Sequence, residues 1–340
     1  MKVVVFAPSP GADLDHGTAH FLSGVAAELR EREHEVAIHE PGGDESPTNL
    51  DRALDDAGLV LVPEQNEPSL VARIGAHRAR HDGYRLLFHD TRQRAVSAPE
   101  EMARYDLSAY DGVLAGGEVI RRAYMERGWA ARAWTWHEAA DVRLFQPLTG
   151  VEPEADLVWI GDWGDGSRAE DLRRFLLRPA RTARMRGSIY GARYPRSARL
   201  RIALAGLHYR GEAADHHAPE LFARHRLTVH LPDRRAAALP GIPGSRLFEA
   251  MACGIPVVSA PWDDFEGLFR TEQDYLVGRD CAEMREAMQA IVEYPELAEK
   301  LRASGLETIR SRHTCAHRVD ELLAIDAELG GQAHVDFVTS

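Results

Sequence analysis

What most constrains this chain is a repeated pair of signals, a short unbroken apolar run followed by a stretch with helical spacing. The first run, VVVFAP from Val3 to Pro8, is apolar throughout, as a strand covered on both faces must be. A loop with Gly11 and Gly17 follows, then a helical pattern that sets Phe21, Leu22, Val25, Ala26 and Leu29 on one face. EREHEVAIHEP returns as a second strand, and LVLVPE, YRLLFHD, DGVLAG and ARAWTW repeat the theme, separated by helical patterns such as EVIRRAYMERGW. Strands that alternate with helices predict an α/β class with a doubly wound parallel sheet.

After Trp136 the rhythm breaks. HEAADVRLFQPLTGVEPEAD has prolines, acidic residues and no apolar period, which reads as an interdomain connection. It restarts at DLVWIGDWGDG, a strand running into a glycine-rich turn, and continues through the strands GSIYG, RLTVHLP, IPVVSAP and DYLVG to three final helical patterns. A chain of 340 residues exceeds what one core usually holds. The expected organisation is two Rossmann-like domains, 1–145 and 146–326, with a tail over 327–340. Ligands of open parallel sheets sit beyond the carboxyl ends of the strands, so two such domains are expected to face one another across a cleft.

The formal net charge of -12 argues against a surface devoted to coating nucleic acid or anionic lipid, and no nucleic-acid partner is expected. Arginines nonetheless crowd RRFLLRPARTARMRGSIYGARYPRSARLR, Arg173 to Arg201, which suits either a solvated face or a local anion site. Cys253, Cys281 and Cys315 have no metal-site or disulfide spacing, and the opening MKVVVFAPSP is too short for a signal peptide or a membrane span. A cytoplasmic protein without a transmembrane segment is the expectation. No metal is expected: His216-His217 and Asp263-Asp264 are adjacent pairs whose side chains need not converge.

The stretch with most chemistry is GSRLFEAMACGIPVVSAP, Gly244 to Pro261. A loop with Pro240, Gly241, Pro243 and Gly244 leads into a helix with Ser245 where an N-cap belongs. Such a helix start offers free N–H groups and partial positive charge to a phosphate, and Arg246 adds a charged fork. Glu249, one turn on, can accept both hydroxyls of a ribose. The same residues also suit a plainly capped helix with an acidic residue near its positive end.

GSRLFEAMACGIPVVSAP resembles the glutamate-bearing motif of group-1, GT-B-fold glycosyltransferases. WTWHEAADVRLFQP resembles their interdomain segment and ADLVWIGDWGDG their donor-domain glycine loop, while RLFEAMACGIPVVSAPWDDFEGLF with DYLVGRD is similar to the CgeB-type, spore-maturation-like branch. The resemblance covers about 135–325 well and the earlier part mainly in architecture. It implies that Glu249 holds the donor ribose and that Gly161, Asp162, Trp163 and Gly164 lie by the diphosphate, with Gly244, Ser245 and Arg246. Many retaining members carry a further glutamate eight residues before the helix glutamate, where this chain has Gly241, so the anomeric outcome is left open.

The resemblance implies metal-independent transfer from a nucleotide-diphosphate sugar, a UDP-sugar first among candidates, as co-substrate without a bound cofactor. Charge growing on the departing diphosphate would then fall to helix N-termini and arginines. The acceptor is a small molecule, glycan or protein. If the reaction inverts, a general base is needed, and His16, His89 and Asp90 follow first-domain strands. Trp262 and Asp263 follow IPVVSAP and would border the sugar, Trp262 by stacking or by packing the domain edge; Tyr190 is a candidate edge for the base. The competing readings are a sugar-nucleotide epimerase of like architecture and a catalytically silent nucleotide-sugar-binding assembly protein. An NAD-linked dehydrogenase is disfavoured because PSPGADLDHG lacks the G-x-G-x-x-G spacing.

Overall fold

The computed structural model describes residues 1–7, 16–40, 47–91, 94–164, 166–213, 217–232 and 240–336. The chain forms two compact units, Met1–Glu138 with Cys315–Ser340, and Ala139–Thr314.

The first unit begins with β1 (Lys2–Val5), α1 (His16–Glu31), β2 (Glu35–Ile38), α2 (Pro47–Leu54), β3 (Ala57–Pro63) and α3 (Pro68–Arg78). β4 (Arg85–Asp90), α4 (Arg94–Ser97), α5 (Pro99–Met102), β5 (Gly112–Ala115), α6 (Glu118–Glu126) and β6 (Ala133–Thr135) follow. The strands make one six-stranded sheet in the order β2-β1-β3-β4-β5-β6, every pair parallel. Val3, Leu59, Val60, Leu61, Val62, Leu86, Leu87 and Phe88 are buried, so the unbroken apolar runs reflect cover on both sheet faces. The order reverses between β1 and β3. There the Asn66 side-chain amide donates to Phe6 O and Pro63 O, both at 2.7 Å, and stitches the two strand ends together.

The second unit carries β7 (Ala155–Ile160) and α7 (Gly166–Asp171), which passes through a π-helical turn (Leu172–Leu177) into α8 (Arg178–Ala183). Then come β8 (Gly187–Tyr190), α9 (Arg196–Leu204), β9 (Leu207–Gly211), α10 (Ala218–Ala223), β10 (His225–His230) and α11 (Ser245–Ala252). β11 (Val257–Ser259), β12 (Leu276–Val277), α12 (Cys281–Glu293) and α13 (Pro295–Arg312) close it. Its six strands are parallel in the order β12-β11-β10-β7-β8-β9. Counted within the unit this is the dinucleotide-fold order 3-2-1-4-5-6, whose ligand crevice opens where β7 and β10 send their connections to opposite sides. β9 is absent from the sequence-predicted strands. It is an edge strand in which only Leu207 is buried, so LHYRG lacks the apolar run that marks the others.

The last helix, α14 (Cys315–Asp336), belongs to the first unit and packs on α1. Val319, Leu322, Ile325 and Leu329 form its buried stripe. Arg32 pairs with Asp320 at 2.5 Å, Arg85 with Asp326, and the Trp136 indole donates to Arg318 O at 2.9 Å. The chain thus leaves the first unit after Glu138 and re-enters it at Cys315, whereas the sequence reading carries the second domain to 326. An apolar stripe announces that a helix is buried, not which core receives it.

Candidate functional site

The second unit concentrates its chemistry at the carboxyl ends of β7, β8, β10 and β11. Beyond β7, Gly161 N–H donates to Tyr190 O at 2.9 Å, and Gly161 O accepts from the Tyr194 hydroxyl at 2.7 Å and the Trp159 indole at 3.1 Å. Gly191, at φ 141°, lies so close that a Cβ there would stand 2.1 Å from Gly161 O. The Asp162 carboxylate accepts the Ala192 N–H at 2.7 Å and pairs with Arg193 at 2.5 Å, tying the β7 loop to the β8 loop. Trp163 is buried, with its ring 5.5 Å from that of Tyr194. Gly164 takes φ 68°, a left-handed conformation that costs glycine little. Tyr190 ends β8, half-buried at the margin of the core that holds Phe248 and Tyr275.

Arg168 on α7 joins this loop to β10. Its guanidinium donates to Leu231 O at 2.7 Å and Pro232 O at 3.1 Å and lies 5.3 Å over the Trp159 ring. A second buried contact orders the far side: the His230 ring meets Ser259 Oγ at 2.8 Å through Nδ1 and Pro243 O at 2.8 Å through Nε2. A carbonyl only accepts, so Nε2 carries the proton. Burial pushes the His230 pKa down to about 4, and the ring is neutral at physiological pH. Neither Arg168 nor His230 figures among the sequence-predicted site residues. Arg168 lies four residues past Gly164 in the first helix after a glycine loop, a readable position; His230 is one of 16 histidines and only the fold gives it partners.

α11 starts at Ser245, one residue earlier than an N-cap at Ser245 requires. Gly244 is the cap, at φ 82° and ψ 153°, so the cap position itself has no side chain to bond the helix N–H groups. The backbone reason is that only glycine adopts those angles cheaply. Among the described residues nothing lies within 4 Å of where a Gly244 Cβ would be. Arg246 is partly exposed and pairs at 2.7 Å with Glu249, whose carboxylate is buried in the second turn at 3% exposure. Gly241, at φ 88°, donates its N–H to Asp263 O at 2.7 Å, and the space a side chain at 241 would need is taken by the Glu266 carboxylate and the Phe265 ring. Trp262 is half-buried between His230, 6.2 Å away edge-on, and Tyr275, stacked at 6.4 Å. The Asp263 side chain is exposed, and Asp264 accepts the N–H groups of Leu268 and Phe269 at 2.9 and 2.8 Å.

In the first unit, the His89 and Asp90 side chains end β4 fully buried. His89 packs its ring 4.9 Å from Trp136 and 6.0 Å from Phe21, and among the described residues neither ring nitrogen has a hydrogen-bond partner. Burial pushes its pKa down to about 3. Asp90 accepts from the Tyr124 hydroxyl at 2.8 Å. Beside them lies an ionic cluster that the sequence reading missed: buried Glu64 pairs with Arg94, and Tyr105 donates to Glu64 O at 2.8 Å. His16 opens α1, but its side chain lies outside the described residues, as does His216.

Asp51, His77 and His81 bring three possible metal-ligand atoms within 4.8 Å of one another, in a part of the chain where the sequence suggests no metal cluster. Both ring nitrogens of His77 already have partners, Tyr84 at 3.0 Å and Asp51 at 3.3 Å, and His81 stacks on it at 4.4 Å, so hydrogen bonding and stacking account for the grouping.

Residues 168–324 match a family described as glycosyl transferase-like. No curated protein matches the sequence. Among solved structures, sucrose-phosphate synthase from Thermosynechococcus elongatus is similar over 100% of both chains, at 14% identity and a TM-score of 0.61. HepE from Anabaena, in complex with UDP and glucose, is similar over 96% of this chain and 100% of its own, at 15% identity and a TM-score of 0.64. An α-glucosyltransferase in complex with UDP and a 13-mer DNA reaches a TM-score of 0.69 at 12% identity, over 96% of this chain and 99% of its own. The fold is that of GT-B glycosyltransferases, two six-stranded parallel sheets with flanking helices.

Proposed function

We propose that this protein transfers a sugar, a hexose first among candidates, from a UDP-sugar to an acceptor hydroxyl without a bound metal, in the manner of the CgeB-type branch and in the cytoplasm. The observation that carries the proposal is Glu249. A carboxylate kept at 3% exposure costs several kcal/mol unless it is compensated, and Arg246 provides the compensation at 2.7 Å. It stands one turn inside a helix whose glycine-capped start is open, at the crevice where β7 and β10 diverge. In this reading the diphosphate rests on the N–H groups that follow Gly244, with Arg246 turned toward it, and the ribose hydroxyls donate to Glu249.

Gly161 to Gly164 supply the opposite wall, and Arg168 holds that wall to the end of β10. Trp262 and Asp263 border the sugar and Tyr190 the base. Charge growing on the departing diphosphate is met by a prearranged dipole and a guanidinium, which need no reorganisation as the bond breaks. On the acceptor side the candidates remain His16 and the His89–Asp90 pair. His89 serves as a base only if its ring is uncovered from Trp136, because a proton acceptor must reach the acceptor hydroxyl. Two of the similar structures hold UDP, which supports the choice of nucleotide.

Calorimetric titration with UDP, GDP, ADP and dTDP tests the reading, run beside Glu249→Ala. The expected result is preference for UDP and a loss of about 2 to 3 kcal/mol in the variant, the worth of hydrogen bonds to a charged group. No binding by the wild type to any of the four overturns it. Incubation with UDP-sugars in the absence of acceptor separates transfer from epimerisation by the products formed.

A further inference from the structure

The site uses little of the arginine-rich run that stands out in the sequence. Between Asp171 and Glu212 the chain has eleven arginines and no aspartate or glutamate, in a protein whose net charge is -12. The run maps onto one edge of the second unit: α8, β8, α9 and edge strand β9. The connections from β7 to β8 and from β8 to β9 step in the same direction, so right-handed crossovers put α8 and α9 on one face of the sheet.

Elsewhere Arg32, Arg85, Arg94, Arg224 and Arg270 pair with carboxylates, and within the run Arg173 and Arg193 pair with Glu170 and Asp162. Here Arg178, Arg181, Arg184, Arg186, Arg196 and Arg201 are exposed and make no ion pair among the described residues. α9 adds an apolar feature. Ala198 and Ile202 face the core, and the opposite side presents Leu200 and Leu204, each 62% exposed and one turn apart, with Arg196 a turn before them. Among the described residues these two leucines are the most exposed of the large hydrophobic side chains.

We propose that this edge docks the protein on an anionic lipid surface, with Leu200 and Leu204 entering the headgroup region and the arginines of α8 and α9 meeting lipid phosphates. Cationic side chains around exposed leucines on one helix face are the pattern of interfacial binding. A second copy meeting the same patch would set arginines against arginines. A nucleic acid would match the charge and leave the leucines unused. The overall acidity of the chain does not oppose this, because screening confines the attraction to charges within about 10 Å of the surface.

The test is cosedimentation of the full-length protein with phosphatidylcholine vesicles, with and without phosphatidylglycerol, at low and physiological salt. Binding is expected only with the anionic lipid and is expected to weaken as salt rises. Arg196→Glu with Arg201→Glu lowers the partition coefficient by more than about tenfold, each basic residue being worth roughly fivefold. Leu200→Ser with Leu204→Ser lowers it several-fold and leaves its salt dependence unchanged. All four positions are exposed, so circular dichroism and the unfolding midpoint serve as fold controls. The absence of binding to phosphatidylglycerol vesicles overturns the proposal. So does binding undiminished in both variants, or equal binding of duplex DNA that the leucine variant does not alter. UDP affinity is unchanged in either variant, so this outcome and that of the nucleotide titration are read independently.

Discussion

At the scale of single residues, two positions carry most of the physical argument. Gly244 sits at φ 82° and ψ 153°, a region other residues enter at a cost of order 1–3 kcal/mol. Because nothing crowds a Cβ there, Gly244→Ala isolates the backbone term. The expected outcome is a stability loss of about 1–3 kcal/mol in urea melts together with weaker UDP binding, since the N–H groups after the cap are re-aimed. His230 makes a pH prediction. Its folded pKa is pushed down to about 4 by burial, against the usual 6.5. Below about pH 6.5 the unfolded chain takes up a proton that the folded unit refuses, so stability falls by about 1.4 kcal/mol per pH unit until the pH nears 4. His230→Gln removes that share of the slope, which urea melts between pH 7.5 and pH 5 measure. The type of residue at 249 was legible in the sequence because EAMACG is a local pattern. The partners of His230 were not, because Ser259 and Pro243 reach it through separate connections.

At the scale of elements, the site is a set of strand ends held in register by side chains that cross between loops. Arg168 is the clearest case, spanning from α7 to the end of β10 with two carbonyl contacts and one ring contact. A lysine there has the charge without the planar fork that reaches both carbonyls. Arg168→Lys is therefore expected to lose roughly 1–2 kcal/mol of stability, and Arg168→Ala about 2–3, with nucleotide affinity falling in the same order. Equal behaviour of lysine and arginine in thermal melts and UDP titrations would remove Arg168 from this role. The buried strands were readable because cover on both faces demands unbroken apolar runs. β9 escaped because an edge strand with one buried residue carries no such demand.

At the scale of the whole molecule, the two units have separate cores, and no helix among the described residues is long and apolar enough to cross a membrane. If the nucleotide is gripped by the second unit, only that unit's unfolding should respond to it. UDP at about a hundredfold over its Kd adds about 2.7 kcal/mol, which raises the second unit's transition by roughly 5–10 °C in calorimetry and leaves the other in place. A uniform shift of both transitions contradicts that assignment. The sequence by itself determined the α/β class, most of the parallel strands, the break after Trp136 and the Gly244–Glu249 motif. Each of these rests on local chemistry: apolar period, glycine permissiveness, and the spacing of charge along one helix. The tertiary structure alone decided the strand orders, the return of α14 to the first unit, the burial of His89 and Asp90, and the partners of Arg168 and His230. These depend on contacts between segments far apart in the chain, where many pairings satisfy the same local pattern and only packing of the whole selects one.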